Sequence, residues 1–151
     1  MIFKLLKEFL FNLNYLYIKI FKLNKNSLRI LIFHDINDTN QFQSFIKLIT
    51  KLSKNYEFIS PKEFEKFQKD RKVIGKKILV SFDDGFKSNK KAAEYLNKKN
   101  IKAIFFIVAN FVGANPNSKE YENIINNIYP NNLSSDKLNN PLNIDDIKYL
   151  I

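Results

Sequence analysis

Along the first 22 residues, MIFKLLKEFLFNLNYLYIKIFK, apolar side chains recur every three or four positions. Ile2, Leu6, Phe9, Leu10, Leu13, Leu16, Tyr17 and Ile20 fall on one face of a helix. Lys4, Lys7, Glu8, Asn14, Lys19 and Lys22 fall mostly on the other, where Phe11, Tyr15 and Ile18 intrude. From Leu28 strand and helix signals alternate. LRILIF, Leu28 to Phe33, is a short apolar run of the buried-strand kind, and it stops at His34-Asp35. Helical spacing follows at Phe42, Phe45, Ile46, Leu48, Ile49 and Leu52, and Tyr56 to Ile59 makes a short strand. Ser60-Pro61-Lys62-Glu63 starts the next helix, with Ser60 as cap, Pro61 in the first turn and Glu63 closing a capping box. Phe64 and Phe67 mark its buried side. Lys77 to Phe82 is a strand, Lys90 to Lys99 a helix carrying Ala92, Ala93, Tyr95 and Leu96, and Ile101 to Val108 a further apolar strand.

Repeated strand–helix–strand order predicts an α/β fold, a parallel sheet or barrel with helices outside. In such folds chemistry gathers beyond the carboxyl ends of the strands. Two polar clusters lie there, His34-Asp35 after the first strand and Asp83-Asp84 after Phe82. Beyond Gly113 the character changes. The stretch 115–140 is rich in Asn, Ser and Pro and reads as an insertion or mobile loop region, with a short helix from Lys119 to Tyr129. Asn143 then caps a last helix with Asp145 and Asp146 in its first turn.

Charge changes the reading of the N-terminus. Lysines interrupt residues 1–22 too often for a spanning helix, and there is no clean apolar stretch with a small-residue cleavage site, hence no clear cleavable signal peptide. Residues 1–26 therefore read as a basic amphipathic helix. It either packs its stripe on the domain at 27–151 or lies in a membrane surface through residues 1–22, which makes the expected location cytoplasmic or membrane-peripheral. The net charge of +10 does not indicate nucleic acid. The excess is nearly all Lys, spread along the chain, without an Arg cluster or a reading module. With no Cys, disulfides, thiolate zinc sites and a thiol nucleophile are excluded.

KKILVSFDDGFKSN, Lys76 to Asn89, holds the most informative chemistry: a strand ending in two adjacent acids and a glycine. A turn accounts for one Asp and for Gly85, with an Asp capping the next helix. It leaves the second acid unexplained beside Phe82 and Phe86. Two carboxylates held close repel, and a divalent cation relieves the repulsion. One Asp would then be a metal ligand and the other the base for a bound water. Both readings stand on spacing alone.

SFDDGFKSNKKAAEYLNKKNIKAIFFIVANFVG, Ser81 to Gly113, resembles the first signature of the polysaccharide deacetylases, the NodB-like carbohydrate esterases of family 4. That signature is a Thr/Ser-Phe-Asp-Asp-Gly strand end, a helix with small residues, and a strand of the Ala-Thr-Phe-Phe type. The counterparts are Ser81 to Gly85, Ala92 with Ala93, and Ala103 to Val108. LRILIFHDI, Leu28 to Ile36, is similar to the first strand of one bacterial branch, which ends in Tyr-His where this chain has Phe33-His34. The resemblance runs from about Leu28 to Ile151 and implies a distorted (β/α) barrel. By it, Asp83 is the catalytic base that deprotonates water, and Asp84 is the ligand of a divalent metal, commonly zinc. His34 faces the same mouth; a lone His after a strand is otherwise a structural hydrogen-bonder. The implied reaction is hydrolysis of a carbon–nitrogen bond, removing acetyl groups from amino sugars of an N-acetylated polysaccharide or glycoconjugate.

The family holds its metal with the motif Asp and two His in a later His-x-x-x-His, whereas His34 is the one histidine here. The expectation is thus an incomplete barrel, the N-terminal part of a deacetylase domain truncated before that motif, and inactive by itself. The competing class is a catalytically dead, membrane-peripheral binding or remnant module. A phosphoacceptor receiver domain also places an acidic pair after a strand, but it needs a phosphorylatable Asp at the end of a later strand and a Lys after another. The strand Ile101 to Val108 ends in Ala109-Asn110 instead.

Overall fold

The apolar run at Leu28 forms strand β1 (Ser27–Phe33) in the structure, a computed structural model that describes residues 26–36, 38–128 and 140–151. Helix α1 (Thr39–Leu52) follows, opened by Asp38, whose carboxylate accepts from the Gln41 amide at 2.8 Å. Strand β2 (Glu57–Phe58) leads to α2 (Pro61–Asp70), where the expected capping box is formed: Ser60 Oγ accepts from Glu63 N and Glu63 Oε2 accepts from Ser60 N at 2.8 Å. Phe64 and Phe67 are the least exposed residues of α2 along with Pro61, yet no residue of that helix is fully buried. Strand β3 (Lys76–Phe82), helix α3 (Ser88–Lys98) and strand β4 (Ala103–Phe105) complete the sheet. A single 3₁₀ turn (Ala109–Phe111), helix α4 (Lys119–Ile128) and helix α5 (Ile144–Leu150) follow. Residues 1–25 of the helix expected over 1–26, and with them the membrane contact expected through residues 1–22, lie outside the described residues. Among the described residues no helix is long and apolar enough to cross a membrane.

The four strands are parallel and centred on β3. Along one edge β3 pairs with β1 over its whole length, Ser27 beside Lys76 through Phe33 beside Phe82. Its other edge pairs first with β2 at Lys77 and Ile78, then with β4 from Val80 to Phe82. Strand alternation divides the side chains between two faces. Ile78, Val80 and Phe82 turn toward Phe45 and Ile49 of α1 and Ala92 and Leu96 of α3, forming the main core. Phe82 anchors it, stacked on Phe105 at 4.9 Å and on Phe33 at 5.5 Å between ring centres. The opposite face carries Leu79 and Ser81, both buried, and Ile30 and Ile32 of β1, both exposed.

The apolar run Ile101 to Val108 forms a shorter strand than its pattern predicts. Only Ala103–Phe105 pairs as strand, because β3 leaves extended geometry at Asp84 (φ 73°) and Gly85 (φ 88°) and offers no further straight edge. The Asn-rich stretch also contributes more structure than a loop. Tyr121 and Ile125 of α4 are buried with Phe86 and Phe111 in a second, smaller cluster. Phe86, which follows the Asp83-Asp84-Gly85 turn directly, belongs to that cluster.

Candidate active site

Both polar clusters read from the sequence end at the same mouth of the sheet, and the register requires it. Phe33 and Phe82 are direct parallel partners, so the residues that follow them emerge side by side. The Asp83 amide donates to Phe33 O at 2.8 Å and fixes that junction. On the other edge, Phe106 N donates to Phe82 O at 2.8 Å and Val108 N reaches Asp84 O at 3.4 Å. Asp84 thus takes a left-handed conformation, uncommon for a residue with a side chain, while held from both flanks.

The result is a defined contact: His34 Nδ1 lies 2.9 Å from Asp84 Oδ2. A carboxylate only accepts, so a hydrogen bond here needs the proton on Nδ1. The pair spans a boundary, since 55% of the His34 side chain is exposed against 16% of Asp84. Asp83 is half-buried, and its carboxylate makes no hydrogen bond or ion pair among the described residues. Of the two acids, the histidine contacts Asp84 alone. A metal was also expected here. Among the described residues no group of three or more His, Asp or Glu side chains is gathered, so Asp84 and His34 alone do not fit a catalytic zinc, which takes three protein ligands and an open position.

Two features of the site have no role assigned from the sequence, although Asp35 belongs to one of the strand-end polar clusters. Asp35 follows His34 and accepts from Ser88 Oγ at 2.6 Å. Burial pushes the Asp35 carboxyl above its ordinary value; the Ser88 hydrogen bond opposes this, and the negative charge of Asp84 adds to it. The buried Tyr121 of the smaller cluster is likewise raised, by burial first and then by the charge of Asp35. The second feature is a strap. Leu142 N donates to Gly85 O at 2.9 Å, Gly113 N to Leu142 O at 2.9 Å, and Lys87 N to Asn140 O at 2.8 Å, with Pro141 bridged to Phe86. Backbone bonds of this kind carry no side-chain signature, so only the adjacent helix cap at Asn143 is visible in the sequence.

The strap is held in turn by α5. Asp146 is buried, completes the Asn143 capping box, and accepts from Lys90 Nζ at 2.8 Å. The Lys90 hydrogen bond holds its carboxyl below the usual range, with Asn143 N helping.

With this geometry in place, residues 70–132 match the family model of polysaccharide deacetylase. No curated protein matches the chain. Solved structures that share its fold include IcaB, the BpsB deacetylase domain and a de-N-acetylase. The chain is 23% identical to IcaB from Ammonifex degensii, covering 83% of this chain and 48% of that one at a TM-score of 0.62. The deacetylase domain of BpsB from Bordetella bronchiseptica is 17% identical, with 85% and 53% covered and a TM-score of 0.53. A de-N-acetylase from Aggregatibacter actinomycetemcomitans is 15% identical, with 82% and 50% covered and a TM-score of 0.52. The chain spans about half the length of each of these structures.

Proposed function

We propose, for a chain whose residues 70–132 carry the polysaccharide deacetylase signature on a NodB-like α/β fold, that it supplies the acid pair of an N-deacetylase site. The substrate class is an N-acetylated polysaccharide or glycoconjugate. The observation that carries the reading is the 2.9 Å contact of His34 with Asp84, next to an Asp83 carboxylate with no partner among the described residues. Asp83 takes a proton from water as the water oxygen attacks the acetamide carbon. The carbonyl carbon becomes tetrahedral, the carbon–nitrogen bond breaks, and acetate and a free amine leave. The amine needs a proton from an acid outside the described residues.

His34 orients Asp84 and faces the reacting group from the mouth. Asp84 is the carboxylate this chain would offer a divalent metal, zinc, whose Lewis acidity would polarise the acetyl carbonyl. The other ligands would have to come from outside the described residues. The chemistry assigned to this chain is therefore confined to Asp83, Asp84 and His34, and the 151-residue chain by itself is expected to be inactive.

Two measurements test this. His34 is the one histidine of the chain, so its ring gives a single, assignable NMR signal. An N-acetylated chitooligosaccharide at millimolar concentration should shift that signal, and the shift should be lost in the Asp83→Ala, Asp84→Ala double variant. An unmoved His34 signal would sink the reading of this mouth as a sugar-binding site. Acetate release by the isolated chain with zinc should be absent; measurable release would overturn the expectation of inactivity.

A further inference from the structure

Ser88, the first residue of α3, ties down the loop that carries the active-site histidine. Its hydroxyl donates to Asp35 Oδ1 at 2.6 Å and accepts from the Ile36 amide at 3.3 Å. One oxygen therefore binds both residues that follow His34. On the other side of His34, Phe33 O is fixed by the Asp83 amide at 2.8 Å. His34 sits on a three-residue span pinned at each end to the segment that carries Asp84.

The pins do not have equal consequences. The Phe33 bond is part of the sheet and would form with any side chain at these positions. The Ser88 contact is the one that depends on side chains, and it sets where the backbone goes after the histidine. Ile36 belongs to the main core, and the Ser88 hydroxyl satisfies its amide. The imidazole itself is more than half exposed, so packing alone does not hold the ring against Asp84.

We propose that Ser88 and Asp35 form a positioning pair that holds His34 in register with Asp84. Neither residue reaches the reacting atoms; both act through the backbone at Asp35 and Ile36. The inference deepens the proposed deacetylase site, and rests on that reading only for what His34 does in the reaction. The contact geometry stands without it.

The test reads the ring tautomer of His34 by long-range nitrogen–proton NMR, in the intact chain and at a pH where the imidazole is neutral. A neutral imidazole donating from Nδ1 to Asp84 must be the Nδ1–H tautomer. The wild-type chain should show that form as the major species. Ser88→Ala and Asp35→Ala should each lose the Nδ1–H signature in favour of Nε2–H, while the amide spectrum keeps its dispersion. Ser88→Thr and Asp35→Asn keep the hydroxyl and the acceptor oxygen and should retain the wild-type tautomer. A wild-type ring that is mainly Nε2–H, or a folded Ser88→Ala with an unchanged tautomer, would overturn the proposal. If Ser88→Ala does not fold, Asp35→Ala carries the same reading with α3 untouched. If that also unfolds, retention of the tautomer in Asp35→Asn decides, and its loss counts against the pair. No outcome depends on catalysis, so a chain without deacetylase activity tests the inference equally well.

Discussion

His34 and Asp84 are 50 positions apart in the chain and 2.9 Å apart in space. The parallel register of β1 on β3 brings them together, and the left-handed backbone of Asp84 turns its carboxylate toward the ring. That conformation makes the first prediction. Asn tolerates left-handed geometry best among residues with a side chain, and a β-branched residue tolerates it worst. Asp84→Asn should stay within about 0.5 kcal/mol of wild type in urea unfolding, whereas Asp84→Val should lose about 1–2 kcal/mol. Equal losses would show that the backbone there relaxes freely.

Gly85 lies next to it at φ 88°, and a Cβ at that position would stand 2.9 Å from Ile107 Cγ2. Two costs combine, an unfavourable backbone and a steric clash. Gly85→Ala should destabilise the fold by roughly 2 kcal/mol. In the Gly85→Ala, Ile107→Ala double variant the clash is relieved and the backbone cost remains. The two changes should therefore be less costly together than the sum of the single variants, as a double-mutant cycle would measure.

Acid stability should reflect Asp146 and Glu63. The Lys90 hydrogen bond holds Asp146 below the usual carboxylate range, and the Ser60 amide does the same for Glu63. A carboxyl depressed in the folded state stabilises above its unfolded value and loses that contribution as pH falls through the folded one. Stability should therefore decline below the ordinary values of 3.8 and 4.5. Asp146→Ala should cost about 2 kcal/mol at neutral pH, from the lost cap and charge-assisted hydrogen bond. The decline in acid should be shallower in that variant, as thermal unfolding across pH would show.

Asp35 has the opposite sign. Burial raises its carboxyl above 3.8, so the ionised form is disfavoured in the folded chain at neutral pH. The penalty is relieved as pH falls through the raised value toward 3.8. Asp35→Asn keeps an oxygen to accept from Ser88 and removes the charge facing Asp84. It should melt higher than wild type at pH 7, with the gain shrinking in mildly acidic buffer. A variant that melts lower at every pH would show that the charge itself is used in the fold.

Periodicity and punctuation determined most of the elements. The run at Leu28, the capping box at Ser60 and Glu63, and the cap at Asn143 are local signals, set by side-chain spacing and by hydrogen bonds three residues away. Asp83, Asp84 and His34 were legible as strand-end polar residues for the same reason. Which strand would lie beside which was not. Pairing β1 with β3 is a choice between apolar runs of like pattern, settled by the packing of Phe33, Phe45 and Phe82 in one core. The length of β4 was likewise decided by its partner, since β3 stops offering an extended edge at Asp84. Ser88 on Asp35 and the strap at Leu142 on Gly85 depend on that same pairing, because contacts 53 and more positions apart exist only once the sheet has brought the segments together. The sequence alone thus named the acids and the histidine; the tertiary structure decided which acid the histidine holds.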